Sequence, residues 1–178
     1  MNMNEIEQIK ELRIDLDEVY TYLLQVSDVI PRKFNIYSDS NNLDDAIQAV
    51  LMSKAWLGNC IKELGGNTPY VSDEKRKTVD QIKNPSESYD SKQNNPRFKL
   101  EVEISYDNIV ELVSLIRVML ENIKNDIVNI DKSIEEKPSR EFAISRTKAY
   151  SHCVECRFYL GFLLSDIKKV NNLLDEEN

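Results

Sequence analysis

Apolar side chains recur at intervals of three and four residues in four separate stretches of the chain, which is typical of helices that pack along one another. The first stretch ends at Pro31, and the second begins after the capping residues 40–42 and stops at Gly65 and Gly66. The third runs from about residue 105 to 134, and Pro138 separates it from the fourth. The apolar positions of the four stretches are, in order, Ile9, Leu12, Leu16, Val19, Leu23, Val26 and Ile30; Leu43, Ala46, Val50, Leu57, Cys60 and Leu64; Ile109, Leu112, Ile116, Met119, Ile123, Ile127 and Ile130; and Phe142, Ala149, Cys153, Cys156, Leu160, Leu163, Ile167, Val170 and Leu174.

This pattern predicts an all-α fold made of two tandem helical hairpins, residues 1–66 and 105–178, which share one four-helix bundle-like core. The polar connection at 67–104 is rich in Asn, Ser, Lys and Asp and contains three prolines, so we expect a loop there. Within it, residues 98–104 alternate between apolar and charged side chains. That alternation is compatible with a short β-strand or with the entry of the third helix.

The second and fourth stretches resemble each other when 103 is added to each residue number. Residues 55–58 read Ala-Trp-Leu-Gly and residues 158–161 read Phe-Tyr-Leu-Gly, while Lys54 corresponds to Arg157. Glycine inside a helix costs about 1 kcal/mol relative to alanine unless close packing or a ligand offsets that cost. We therefore interpret the hairpins as a duplication and expect Gly58 and Gly161 to have a packing or binding role.

Acidic side chains outnumber basic ones by 31 to 23, for a net charge of −8. This charge disfavours nonspecific binding to DNA or to anionic lipid, so an anionic ligand would need a local basic pocket. No apolar stretch is long enough to span a bilayer, and residues 1–5 lack the features of a secretory signal. We expect a cytoplasmic protein with neither DNA nor membrane as a partner.

The only motif that resembles a metal site is Cys153 and Cys156 beside His152. Zinc sites usually need four ligands, and no second cysteine pair exists, so buried small side chains are the favoured interpretation. The sequence also lacks a glycine-rich phosphate loop and a nucleophile elbow. We assign no catalytic residue, metal or cofactor, and we expect that the chain is not an enzyme.

A basic residue precedes an aromatic residue by two positions in both repeats, Lys54 before Trp56 and Arg157 before Tyr159. A cation and a flat ring can hold a nucleotide, with the ring stacked on the base and the cation on the phosphate. Alternatively, the rings pack into the core while the basic groups reach solvent. Charge and position add further candidate ligand contacts: Tyr70, Arg140 and Arg146, with Lys148 nearby.

Residues 51–58, Leu-Met-Ser-Lys-Ala-Trp-Leu-Gly, are followed by Glu-Leu-Gly at 63–65 and by Pro-Tyr at 69–70. The second copy, at 155–161, reads Glu-Cys-Arg-Phe-Tyr-Leu-Gly and has no Pro-Tyr pair. Both resemble a stretch of small phage-encoded helical proteins, typically Leu-x-Glu-Ala-Arg-Met-Trp-Leu-Gly. That group includes the anti-CBASS cyclic-oligonucleotide sponges, which are compact helical oligomers.

The resemblance implies a phage protein that sequesters a cyclic oligonucleotide or cyclic ADP-ribose-like immune signal, of CBASS or Thoeris type, without turnover in the host cytoplasm. It also implies a homo-oligomer, although this longer, duplicated chain could replace a dimer with a fused pair. The motif-matched contacts are Lys54, Trp56, Arg157 and Tyr159. The rival hypothesis is a helical module for protein interaction or oligomerisation, with no small ligand.

Overall fold

The structure is a computed structural model that describes residues 3–30, 41–66, 104–133 and 138–176. These residues form four α-helices: α1 (Met3–Val29), α2 (Asn42–Glu63), α3 (Ile109–Ser133) and α4 (Arg140–Glu176). The predicted all-α fold is confirmed, with one helix for each apolar stretch. None of the described helices has a segment both long and apolar enough to cross a membrane.

Two predicted helix boundaries have clear local causes. The end of α2 is a Schellman motif, in which Gly65 has a φ of 77° and the Gly66 amide donates to the Ile61 carbonyl at 2.9 Å. At the start of α4, the Ser139 hydroxyl oxygen accepts a 3.0 Å hydrogen bond from the Phe142 amide. Glycine and serine therefore set these ends in the way their chemistry predicts.

The starts of α2 and α3 differ from the sequence prediction. The Asn41 side chain makes no capping hydrogen bond, and the neighbouring Asn42 amide instead donates to Asp166 of α4 at 2.8 Å. Residues 105–108 form a turn, so α3 begins at Ile109 rather than near 105. The predicted strand at 98–104 lies outside the described residues except for Ile104, which is not in a strand.

Neighbouring helices of the bundle run antiparallel, and their order around it is α1, α2, α4, α3. On α2 and α4 the residue numbers run in opposite directions, because Asn42 lies beside Asp166 and Ser53 lies beside Ala149. The Ser53 hydroxyl donates to the Ala149 carbonyl at 2.8 Å in the buried interface. The α2–α4 contact is the most extensive of the bundle, so the two hairpins meet mainly there.

The four predicted apolar stripes form one continuous core in the described residues. Phe142 is among the largest fully buried side chains and lies in the first turn of α4. The stripe positions Ile30, Leu43 and Leu64, all near helix ends, are only half-buried, and the Leu174 side chain lies outside the described set. Burial thus follows the helical period and weakens where the helices end.

Candidate functional site

Each helix-interior glycine makes room for an arginine of the preceding helix. A Cβ atom on Gly58 would lie 2.7 Å from Arg13 Nη1, and a Cβ atom on Gly161 would lie 3.6 Å from Arg117 Nη2. The two guanidinium groups therefore lie against the backbone of α2 and α4. An added methyl group would crowd Arg13 at Gly58 but would make an ordinary contact with Arg117 at Gly161, so close packing explains the glycine only at Gly58.

The internal repeat also includes the first and third helices. Adding 104 to Arg13 and Asp17 gives Arg117 and Glu121, which keeps both the charges and the one-turn spacing. Asp17 forms an ion pair with Lys54, and Glu121 forms the equivalent pair with Arg157 at 3.3 Å. The sequence comparison of α2 with α4 missed these matching arginine and acidic positions. The same comparison of α1 with α3 would have found them.

The two hairpins are related by an approximate two-fold rotation across the α2–α4 interface. α2 and α4 are repeat mates, and they pack antiparallel as a two-fold relation requires. Each hairpin repeats one set of contacts, with an arginine over a glycine and a carboxylate paired with a cation. The chain therefore presents two related charged clusters on opposite sides of the bundle.

We call Arg117, Glu121, Lys124 and Arg157 the α3–α4 basic cluster. Lys124 donates to Glu121 Oε1 at 2.5 Å, and Arg157 approaches the other carboxylate oxygen. The hydrogen bond from Lys124, supported by the positive charges of Lys124 and Arg157, holds the pKa of Glu121 below its usual value although burial opposes this shift. Two cations contact the carboxylate and Arg117 lies beside Gly161 one turn earlier on α3, so the cluster has a positive excess in an otherwise acidic protein.

Arg117 Nε is shielded from solvent and has no hydrogen-bond acceptor among the described residues. Arg157 Nε is shielded as well, but it faces Glu121 Oε2 at 3.3 Å. The rest of the Arg157 side chain remains accessible, because 43% of its surface is exposed. An accessible guanidinium edge of this kind is suited to a phosphate, whose oxygens accept the paired N–H groups.

Two exposed aromatic rings lie beside the cluster on α4. Phe158 is 62% exposed and Phe162 is 47% exposed, and their ring centroids are 4.5 Å apart in an edge-to-face arrangement. Arg157 and Gly161 form one column along the helix, and the two phenylalanines form the adjacent column because of the four-residue spacing. An accessible ring beside an arginine pair can stack on a nucleobase.

The structure places Lys54 and Trp56 against different neighbouring helices. Lys54 pairs with Asp17 of α1, whereas the half-buried Trp56 ring has Lys148 of α4 over it, with Nζ 4.1 Å from the ring centroid. Tyr159 is also half-buried against the core. It lies eleven residues beyond Lys148 on α4, about 16 Å at the helical rise, so Trp56 and Tyr159 are far apart.

The other predicted contact residues are dispersed. Arg140 is exposed at the first residue of α4, and Arg146 donates to the Val128 carbonyl of α3 at 3.2 Å. Tyr70 lies outside the described residues. Of the seven predicted contacts, Arg157 alone belongs to the α3–α4 basic cluster.

The predicted burial of the cysteine pair is confirmed. Cys153 and Cys156 are free thiols in the core, and the Cys153 thiol donates to the Leu120 carbonyl at 3.4 Å. Burial raises the pKa of Cys153 to about 12 and raises that of Cys156 well above its usual value. His152 lies outside the core stripe and contacts Glu155, with Nδ1 2.7 Å from the carboxylate.

Within the described ranges, no three His, Cys, Asp or Glu side chains are grouped so that they could hold a metal ion. Comparisons with protein-family models, with curated proteins and with solved structures gave no match. The functional argument therefore depends on the geometry of the chain itself.

Proposed function

We propose that this protein binds and sequesters a phosphate-bearing signal of the cyclic-nucleotide type without turning it over. The observation that carries the proposal is the α3–α4 basic cluster, where three cations accompany one carboxylate and the Arg157 side chain is 43% exposed. A bound phosphodiester would accept hydrogen bonds from the accessible part of Arg157 and would balance the positive excess of the cluster.

The class of ligand follows from the neighbouring rings. Phosphate alone needs only the arginines, but the exposed Phe158 and Phe162 rings offer an apolar surface about 100° further around α4. Stacking on an aromatic side chain contributes about 1–3 kcal/mol per base. A nucleotide, which combines both chemical groups, therefore fits this surface better than a simple anion does.

The resemblance to cyclic-oligonucleotide sponges supports the same class of ligand and a phage anti-defence role. On this proposal the protein acts stoichiometrically, so it binds through fixed charges and rings and needs no catalytic group. Trp56 with Lys148 forms a second cation–ring pair, between α2 and α4. Tyr159 and Lys54 remain contacts proposed from the motif, and Lys54, which pairs with Asp17 on the opposite side of the bundle, would contact a second bound ligand.

Isothermal titration against cyclic dinucleotides, cyclic trinucleotides and cyclic ADP-ribose isomers tests the proposal. Arg117→Gln or Arg157→Gln should weaken binding by about 10- to 100-fold, because each removes a charge-assisted hydrogen bond of about 1.5–3 kcal/mol. Lys10→Gln is the matched control, since Lys10 is an exposed cation of α1 that pairs with Glu7 in the same helix. Mass analysis should recover the bound nucleotide unchanged.

The proposal is wrong if a folded sample binds no member of the panel, or if Lys10→Gln weakens binding as much as Arg157→Gln does. Phe158→Ala measures the contribution of base stacking to affinity without changing the charge of the protein. Its side chain is mostly exposed, so the fold should survive while affinity falls by about fivefold or more.

A second candidate function, protein interaction or oligomerisation, is favoured by the same exposed phenylalanines. Aromatic rings are enriched at protein interfaces, where they anchor a partner. Light scattering after gel filtration distinguishes the two. On the oligomer hypothesis Phe158→Ala with Phe162→Ala lowers the particle mass, whereas Arg117→Gln leaves it unchanged.

A further inference from the structure

Helix α4 carries a second helical repeat on the side that faces away from the core. Its members are uncharged, recur at intervals of three and four residues and are all exposed to solvent; they are Ile144, Thr147, Ser151, Val154, Phe158, Phe162 and Ser165. This spacing is typical of a seam between paired helices. We call these residues the α4 outer seam, and at the helical rise it is about 32 Å long.

The composition of the α4 outer seam is that of an interaction surface. It contains no charged residue, although 30% of the chain is charged. Four of its members are apolar, and the others carry short hydroxyl side chains that let a second helix approach closely. The Thr147 hydroxyl already donates to the Ala143 carbonyl of its own helix at 2.8 Å. Because the seam residues are exposed, the other described helices leave this surface uncovered.

The two flanks of the α4 outer seam differ in charge. On the side of α3 lies Arg157, which approaches Glu121 and belongs to the α3–α4 basic cluster. On the side of α2 lies Glu155, because it follows by two helical turns Lys148, which is held over the Trp56 ring of α2. The Glu155 side chain is 51% exposed, so its carboxylate is accessible.

These flanks favour a second copy of this chain as the partner, and they also favour one direction of pairing. We propose that two copies pair through the α4 outer seam, with their α4 helices parallel and related by a two-fold axis that runs along them. The α3-side flank of each copy then faces the α2-side flank of the other. Arg157 therefore lies near Glu155 and Phe162 of the other copy, so opposite charges and a cation–ring contact border the seam.

The antiparallel alternative is disfavoured by charge. In an antiparallel pair the flanks of one kind face each other, so the α3–α4 basic clusters of the two copies would be brought together. Juxtaposed like charges oppose association. The parallel pair avoids this repulsion and places each seam residue opposite the same residue of the other copy.

The inference rests on the second candidate function, for which it names the partner and the geometry. A single helix pair is a small interface, so we expect a dimer that dissociates on dilution. The Phe158 ring that packs on the other copy is not available to a nucleobase. A second copy and a nucleotide therefore exclude each other at this ring.

Sedimentation equilibrium of the full-length protein, without nucleotide, measures the pairing. We expect the mass to rise from that of one chain towards that of two when the concentration increases about 100-fold. Phe158→Asp places two carboxylates in the seam and should keep the mass at one chain. Val118→Asp is the matched control, because Val118 is an exposed apolar residue of α3 outside the seam, and it should pair as the wild type does. Circular dichroism checks that both variants are folded.

Single added cysteines test the parallel direction. The three native cysteines are buried, so a cysteine in the seam is the accessible thiol. Under mild oxidation Ser151→Cys and Ser165→Cys should each form a disulfide with the same position of the other copy, because parallel pairing brings the two Cα atoms within reach. An antiparallel pair cannot link both variants, since its two-fold axis passes only one position. Ser114→Cys, on the exposed face of α3, is the control and should not link.

A mass of one chain at every concentration overturns the pairing, as does a dimer that survives Phe158→Asp or is lost equally in Val118→Asp. Failure of either seam cysteine to link with itself overturns the parallel arrangement, and oligomerisation then depends on the mass data alone. A link that forms only when Ser151→Cys and Ser165→Cys are mixed shows antiparallel pairing and also overturns it. Nucleotide binding is measured separately by the titration, so failure of the pairing is distinguishable from failure of the proposed sequestration.

Discussion

The two helix-interior glycines allow one substitution to be compared in two related environments. Alanine is more favourable than glycine inside a helix by about 1 kcal/mol. At Gly161 the new Cβ would lie 3.6 Å from Arg117 Nη2, which is an ordinary contact distance. Gly161→Ala should therefore raise the free energy of unfolding by about 1 kcal/mol.

At Gly58 the same helix preference is opposed by crowding. The new Cβ would lie 2.7 Å from Arg13 Nη1, so the guanidinium must move. Arg13 makes a further interaction within the protein, and loss of one polar interaction costs about 1 kcal/mol. Gly58→Ala should therefore change the free energy of unfolding by nearly zero.

Urea-induced unfolding, followed by far-ultraviolet circular dichroism, measures the difference. Introducing Gly58→Ala into an Arg13→Ala background should restore a gain of about 1 kcal/mol, because the crowding atom is gone. The slopes of the unfolding curves should stay equal, so that midpoints report stability alone. The reasoning is refuted if Gly58→Ala stabilises the wild-type background as much as Gly161→Ala does.

Three further predictions concern the core. Phe142→Ala should lower the free energy of unfolding by about 3–5 kcal/mol in the same urea assay, since Phe142 is fully buried; near-zero loss would contradict its place in the core. Ser53→Ala should cost about 1 kcal/mol through loss of its hydrogen bond across α2–α4, whereas the exposed Ser151→Ala control should cost little. Burial raises the Cys153 pKa from 9.0 to about 12, so the neutral thiol stabilises the fold fully below pH 9. That stabilisation declines between pH 9 and 12, because the thiol of the unfolded chain ionises there. Cys153→Ala should make the decline in the free energy of unfolding shallower by up to about 1.4 kcal/mol per pH unit.

The sequence alone determined the helix number and most of the core. Helical spacing of apolar residues identifies the buried face because burial favours one continuous stripe on each helix. Gly65 and Ser139 set helix ends through local backbone chemistry, so no tertiary information is needed there. The duplication was also readable, since Gly58 and Gly161 recur at equivalent positions.

Only the tertiary structure decided which side chains meet. Lys54 and Trp56 are two residues apart, yet a helix turns about 200° between them, so one contacts α1 and the other α4. Conversely, Arg117 contacts Gly161 and Arg157 contacts Glu121, although the members of each pair are distant in sequence. They meet because α3 and α4 pack antiparallel. Helix periodicity specifies a buried face, but the order and direction of the helices determine which charges share a surface.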